Sequence, residues 1–268
     1  YEKIKNFSAQ LKVSDFDDAK MLENILSHKK EAPKVIPLYK NWMFRVAAVL
    51  VLALGITLAM QNFSTETQFA SNGKRTTFLL PDNSEVVLNA GSKIEYKKWN
   101  WKNNRNLELK GEAYFKVAKG QKFEVKTSLG NVTVLGTQFD VKARKNRFEI
   151  TCFEGRVKVN YKDKELILTK GLSVIFENGN QINTTSTSLK PEWLENKMAF
   201  SKENLPNIID EIQRQYNVAI SIKSGLSNEL FTGKIPTDNL DIALQIIATT
   251  YNLETKKIDP NTIIFEKK

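Results

Sequence analysis

One long apolar run, Trp42 to Phe63 (WMFRVAAVLVLALGITLAMQNF), limits what this chain of 268 residues can fold into. From Val46 to Met60 it carries no charged side chain. At about 1.5 Å of rise per residue the run makes a helix of roughly 33 Å, enough to cross a bilayer. Its interruptions, Gly55 and Thr57, are tolerated inside membranes, and Arg45 near the start has a stem long enough to snorkel to the headgroups. A core helix would show a polar face, and a cleaved signal peptide would not follow about 40 residues of other sequence or lack a small-residue cleavage site. The run therefore reads as one transmembrane helix. Lys29, Lys30, Lys34, Lys40 and Arg45 lie before it or at its start, and no Lys or Arg occurs from 46 to 73. With Lys40 and Arg45 as the nearest orientation markers, the positive-inside rule places the amino terminus in the cytoplasm and the rest outside it.

The chain then divides into a cytoplasmic segment (1–41), the span (42–63), a polar tether (64–74), an all-β domain (75–188) and a small α+β domain (189–268). Residues 61–188 hold 21 Lys/Arg against 13 Asp/Glu, so most of the net charge of +10 lies beyond the membrane, away from nucleic acid. That excess reads as a solvated basic face, or as a surface for an acidic partner or an anionic envelope polymer. Cys152 is the only cysteine and His28 the only histidine. A Ser-His-Asp triad and a His/Cys zinc site are thus excluded outside the membrane, and no cofactor motif is present. Nothing in the inventory suggests an enzyme.

In the amino-terminal segment, Ser14, Asp15, Asp17 and Asp18 read as a capped, acidic helix start. Ala19, Leu22, Ile25 and Leu26 then fall on one face of an amphipathic helix with too few neighbours to form a core. Such a stripe suits a partner better than a membrane surface, given the acidic start. From Arg75 to about Asn183, short alternating runs of Val, Ile, Leu, Phe and Tyr are broken by Pro81-Asp82-Asn83-Ser84, Lys162-Asp163, Asn178-Gly179 and similar turns. The spacing predicts roughly ten strands in a sandwich-like, barrel or solenoid-like domain, with Phe148, Ile150 and Cys152 on one buried face. After Glu192 a strand at Met198–Phe200 leads through Ser201–Asn204 into a helix buried by Leu205, Ile208, Ile209 and Ile212, and a strand follows at Val218–Ile222. The order recurs: a strand at Leu230–Ile235, a helix capped by Asp238 or Asn239, then strands at Leu253–Lys257 and Thr262–Phe265. This duplicated βαβ pattern predicts a small sheet with two helices on one face.

The run Gly73-Lys74-Arg75, then LPDNSEVVLNAGSKIEY, LKGEAYFKVAKG, FEVKT, VTVLGTQFDV and FEGRVKV, resembles the FecR family of transmembrane anti-sigma factors. AFSKENLPNIIDEIQRQYNV, LFTGKI and LDIALQIIATTYNL resemble the carboxy-terminal domain of its Bacteroidetes branch, which is similar to the secretin and TonB short N-terminal fold. The resemblance implies a single-pass protein of the bacterial inner membrane whose carboxy-terminal domains are periplasmic. It implies a cytoplasmic segment, here with Ala19, Leu22, Ile25 and Leu26, that holds an extracytoplasmic-function sigma factor. It also implies a periplasmic part that senses the signalling domain of a TonB-dependent transporter, with regulated proteolysis by an intramembrane protease. A small sheet offers such a partner an edge, and two are candidates: Leu230–Ile235, with Leu230, Phe231 and Ile235, and Thr262–Phe265, with Ile263 and Phe265. Finally, the family's Gly-Thr pair, where some members cut themselves by an N-to-O acyl shift, falls on Gly136 and Thr137. The plainer reading is a glycine relieving a β-bulge beside an ordinary strand threonine.

Overall fold

The computed structural model describes residues 17–27, 42–63, 65–223 and 230–268. It divides into two units, Tyr1–Ile56 and Thr57–Lys268. Ser14, Asp15, His28 and Lys40 lie outside the described residues.

Helix α1, Asp18–Ser27, begins where Asp17 Oδ1 accepts the Lys20 amide at 3.4 Å, so Asp17 supplies the cap. Helix α2, Trp42–Phe63, covers the apolar run. From Trp42 to Ala59 its mean hydropathy is 2.1 and its side chains are exposed, whereas a core helix would be covered.

The large domain contains thirteen strands: β1 (Glu66–Ala70), β2 (Thr76–Leu79), β3 (Glu85–Leu88), β4 (Ser92–Tyr96), β5 (Arg105–Lys116), β6 (Phe123–Lys126), β7 (Asn131–Val134), β8 (Gln138–Arg144), β9 (Arg147–Glu154), β10 (Arg156–Tyr161), β11 (Lys164–Thr169), β12 (Leu172–Glu177) and β13 (Asn180–Thr185). Strand β5 belongs to two layers. Its first half pairs with β4 and β6, its second half, from Gly111, with β3 and β8. One layer runs β1-β4-β5-β6-β7-β10-β11 and the other β2-β3-β5-β8-β9-β12-β13, so a single sheet curls over one core. Phe115, Phe123, Phe139, Phe148, Ile150 and Phe176 fill it, with Phe115 and Phe139 stacked at 5.1 Å and Tyr161 on Phe176 at 4.2 Å. Cys152 is fully buried there, and burial pushes its thiol up to about 11.

Two expectations change. Within β1–β13 every pairing except β5–β6 is antiparallel, which rules out a solenoid; the single sheet curls as a half-barrel. And Glu66–Ala70, inside the stretch read as a tether, is β1: Gln68 and Ala70 alternate with exposed Thr67 and Phe69 and pair along β4, a period too short to stand out among polar neighbours.

A 3-10 turn, Glu192–Glu195, leads to β14 (Lys197–Asn204), α3 (Leu205–Tyr216), β15 (Ala219–Ile222), β16 (Leu230–Pro236), α4 (Leu240–Thr250), β17 (Leu253–Asp259) and β18 (Thr262–Lys267). Asn204 and Asn239 cap the two helices, each side chain accepting an amide of the first turn, from Asn207 at 3.0 Å and Ile242 at 3.1 Å. Ile208 and Ile212 of α3 and Ala243, Leu244 and Ile247 of α4 build the second core with Ile235, Ile263 and Phe265. The element order is the expected one, but the strands flanking each helix do not share a sheet. β14 pairs with β16, while β15 and β17 both pair with β18. A bulge between Phe200 and Glu203, with Lys202 at φ 48°, carries β14 on to Asn204, well past the expected end at Phe200.

Candidate functional site

The outward face of the second layer holds the polar residues that sequence alternation assigns to water. Asp140, Lys142 and Arg144 lie on one face of β8, with Tyr114 and Glu112 of β5 opposite Asp140 and Lys142, and Glu149 of β9 opposite Lys142. The small domain covers them. Glu211, on α3, is 3% exposed and faces Lys142 at 3.8 Å, Arg144 at 4.0 Å and Arg214 at 2.7 Å. Burial alone would raise the Glu211 carboxyl, but Lys142, Arg144 and Arg214 outweigh it and hold it far below the usual carboxylate range. Beside it, Gln215 donates to Asn89 Oδ1 at 2.8 Å, and Asn89 donates to Glu112 at 2.8 Å. At the start of β9, Arg147 bridges Glu177 and, on β14, Glu203, both at 3.1 Å. Lys145 pairs with Asp210 of α3.

Asp140 has the opposite fate. Burial first, then Glu112 and Glu149, raise its carboxyl well above the ordinary value, and Trp193 Nε1 donates to its Oδ1 at 3.2 Å. Trp193, in the 3-10 turn, packs with Val87, Tyr114 and Phe153 on the sheet. Arg75 lies over its ring at 5.7 Å and donates to Asn196 at 3.1 Å and Thr237 at 3.2 Å. Between the domains is a cavity of about 310 Å³, lined by Glu112, Asp140, Lys142, Ser173, Trp193 and Glu211 among others. The arrangement is a charge-matched, largely desolvated seam. Part of the basic excess read as a surface for an outside acid is matched by carboxylates of this same chain.

The residues singled out from sequence within the two folded domains do not gather at this seam. Leu22, Ile25 and Leu26 are 62–64% exposed on α1, and Met21 adds to the same stripe at 55%; Ala19 is exposed too. Arg45 lies in the first turn of α2. Of the docking candidates, Ile235 of β16 and Ile263 and Phe265 of β18 are core residues, 0–1% exposed, and β18 is the central strand of its sheet, so it is no edge at all. β16 does have a second side that no strand pairs among the described residues. There Leu230 is 58% exposed, and Phe231 is half-buried edge-on against Phe200.

Gly136 and Thr137 join β7 to β8, just before a register shift at Gln138 and Phe139. A Cβ on Gly136 would sit 2.8 Å from Lys119 Cα, so the chain approaches too closely there for any other residue. Thr137 is 4% exposed; its hydroxyl donates to the Arg156 carbonyl at 3.1 Å and its carbonyl accepts the Val117 amide at 3.0 Å.

Sequence reasoning missed Glu211, Glu203, Asp140 and the cations around them. Its one usable signal was the Gly73-Lys74-Arg75 motif, whose first and last members both contact the small domain.

The family profile described as "FecR protein" matches residues 65–158, and that described as "FecR, C-terminal" matches 197–265. Two crystal structures of a "putative anti-sigma factor" from Parabacteroides distasonis ATCC 8503, at 2.50 and 1.65 Å, share the fold with a TM-score of 0.69 at 23% identity. They cover 76% of this chain and 100% and 99% of their own. No curated protein matches the chain in sequence.

Proposed function

We propose that this chain, which belongs to the FecR family through both of its folded domains, is a single-pass anti-sigma factor that carries a signal across the bacterial inner membrane. In this reading α2 crosses the bilayer with its amino side in the cytoplasm, where α1 holds an extracytoplasmic-function sigma factor. The two folded domains stand in the periplasm, and the small domain receives the signalling domain of a TonB-dependent transporter along the unpaired side of β16. Regulated proteolysis, ending with an intramembrane protease, then frees the sigma factor.

The observation that carries the reading is the stripe on α1. Met21, Leu22, Ile25 and Leu26 are all more than half exposed on a helix of ten residues. A helix that short is marginal alone, and a stripe of this kind is what a partner's groove covers. The acidic start at Asp17 and Asp18 disfavours an anionic membrane surface as that cover. The alternative, an envelope protein binding an anionic polymer through its basic domain, is weakened because Lys142, Arg144 and Arg147 are engaged by Glu211 and Glu203.

The test is capture of a sigma factor by the full-length chain from detergent-solubilised membranes, with the Leu22→Asp/Ile25→Asp variant beside it. Capture by the parent and its loss in the variant, with sigma-dependent transcription released and membrane insertion unchanged, is the expected result. No capture by the parent would overturn the reading.

A further inference from the structure

The chain leaves α2 at Phe63 and enters β1 at Glu66. Three residues reach at most about 10 Å, so the start of β1 is held close to wherever the helix ends. Glu66 is paired in register with Tyr96, the last residue of β4. The loop that follows Tyr96 is thereby carried to the same place, and Lys98 Nζ closes the link to Glu66 Oε1 at 2.9 Å.

That loop reads Lys97-Lys98-Trp99-Asn100-Trp101-Lys102-Asn103-Asn104, with no acidic residue before Glu108. Its build holds one aromatic ring in and the other out. Trp101 is 3% exposed and packs edge-on against Tyr96 at 5.5 Å and Phe123 at 6.1 Å, which anchors the loop in the core. Asn100, at φ 57°, accepts the amides of Asn103 and Asn104 on its carbonyl, both at 3.1 Å, and so closes a tight turn. Trp99 remains 46% exposed beside three exposed lysines. An indole kept in water by an ordered turn forgoes the gain from burial unless something covers it. Tryptophan flanked by lysine suits the membrane interface, where the ring lies at headgroup depth and the ammonium groups meet anionic lipid.

We propose that the loop 97–104 is a second membrane contact, in which Trp99 enters the headgroup layer of the bilayer that α2 crosses and Lys97, Lys98 and Lys102 lie over anionic lipid. The proposal rests on the reading of α2 as a span. It gives the β-domain a fixed seat on the membrane, so that β1 takes up force from the domain rather than hanging from a free tether.

The test uses the full chain reconstituted into phosphatidylcholine vesicles containing phosphatidylglycerol, with lipids brominated at shallow acyl positions as contact quenchers of tryptophan emission. Comparison with Trp99→Phe and Trp42→Phe isolates the two rings. The expected result is quenching of both components, with that of Trp99 lost in a Lys97→Gln/Lys98→Gln/Lys102→Gln variant or in vesicles of phosphatidylcholine alone. A quenched Trp42 with an unquenched Trp99 would overturn the proposal and leave the span reading intact. If neither is quenched, the span reading falls and the proposal with it.

Discussion

The amide of Gly73 donates to the carbonyl of Arg214 at 2.7 Å, joining the β1–β2 turn to the last turn of α3. Gly73 stands at φ 73° in the turn closed by the Lys74 amide on the Ser71 carbonyl, and Asn217 next to it caps the helix at φ 53°. This hydrogen bond links the small domain to the turn that follows β1, and β1 begins three residues after α2 ends. Movement of α3 has a short covalent route to the helix through β1.

Replacing Gly73 by Ala tests that link. A β-carbon at this φ is strained by about 1–2 kcal/mol and would touch Asn217 Cβ at 3.4 Å. The variant should fold, lose a few degrees of Tm, and show faster amide exchange at the end of α3 without change in the β core. Uniform exchange across both domains would mean that the turn bears no special load.

Glu211→Gln removes the charge that Lys142, Arg144 and Arg214 surround. Breaking a buried ion pair from one side leaves cations without compensation and typically costs about 3 kcal/mol or more. Because the lost contacts lie between the domains, calorimetry should show the single transition dividing in two, the small domain melting first. A lone transition lowered only by a degree or two would show that the seam is held by other contacts.

The pH dependence of the seam has two opposing parts. Glu211, held below its unfolded value, gives stability that is present above about pH 4.3 and lost as pH falls through its folded pKa. Asp140, held above its unfolded value, gives a contribution present below about pH 3.9 and lost as pH rises through its folded pKa. An amide at 140 keeps an oxygen for Trp193 Nε1 and never ionises. Asp140→Asn should therefore raise Tm at pH 7 by a few degrees and leave it unchanged near pH 3.5. Equal Tm at pH 7 would show that Asp140 ionises freely in the fold.

What the sequence made legible follows from which forces are local. Alternation and turn chemistry announced the β-domain from β2 onward, as roughly ten strands where β2–β13 form: Asn83, Lys162 and Asn178, each at positive φ, lie in turns that the sequence announces. The cap at Asn239, one of two candidates with Asp238, was legible for the same reason, since a helix end must satisfy its own amides, whereas Asn204 read only as part of the lead into its helix. The seam was not. Asp140, Lys142 and Arg144 have the spacing of a solvated face, and nothing within β8 records that α3, far along the chain, covers it. Pairing topology was equally hidden, so Thr262–Phe265 read as an edge although β15 and β17 flank it.

The last prediction concerns the bond between Gly136 and Thr137. For the chain to cut itself there, Thr137 Oγ must attack the Gly136 carbonyl carbon, the amide C–N bond must break as the acyl group passes to oxygen, and water must then open the ester. The hydroxyl proton has to be drawn off during the attack. In the folded chain that proton points to the main-chain carbonyl of Arg156, a poor base, and Thr137 is buried. Gly136 is accounted for by its approach to Lys119, with no need of a strained scissile bond. The bond is therefore expected to stay whole: purified full-length protein, incubated and examined by intact mass spectrometry, should yield no fragment beginning at Thr137. Thr137→Val, which keeps the shape and leaves the Arg156 carbonyl without its donor, should lower stability by about 1–2 kcal/mol and change nothing else. A fragment beginning at Thr137 that appears in the parent and vanishes in Thr137→Val would establish self-cleavage and show that the hydroxyl leaves Arg156 before it reacts.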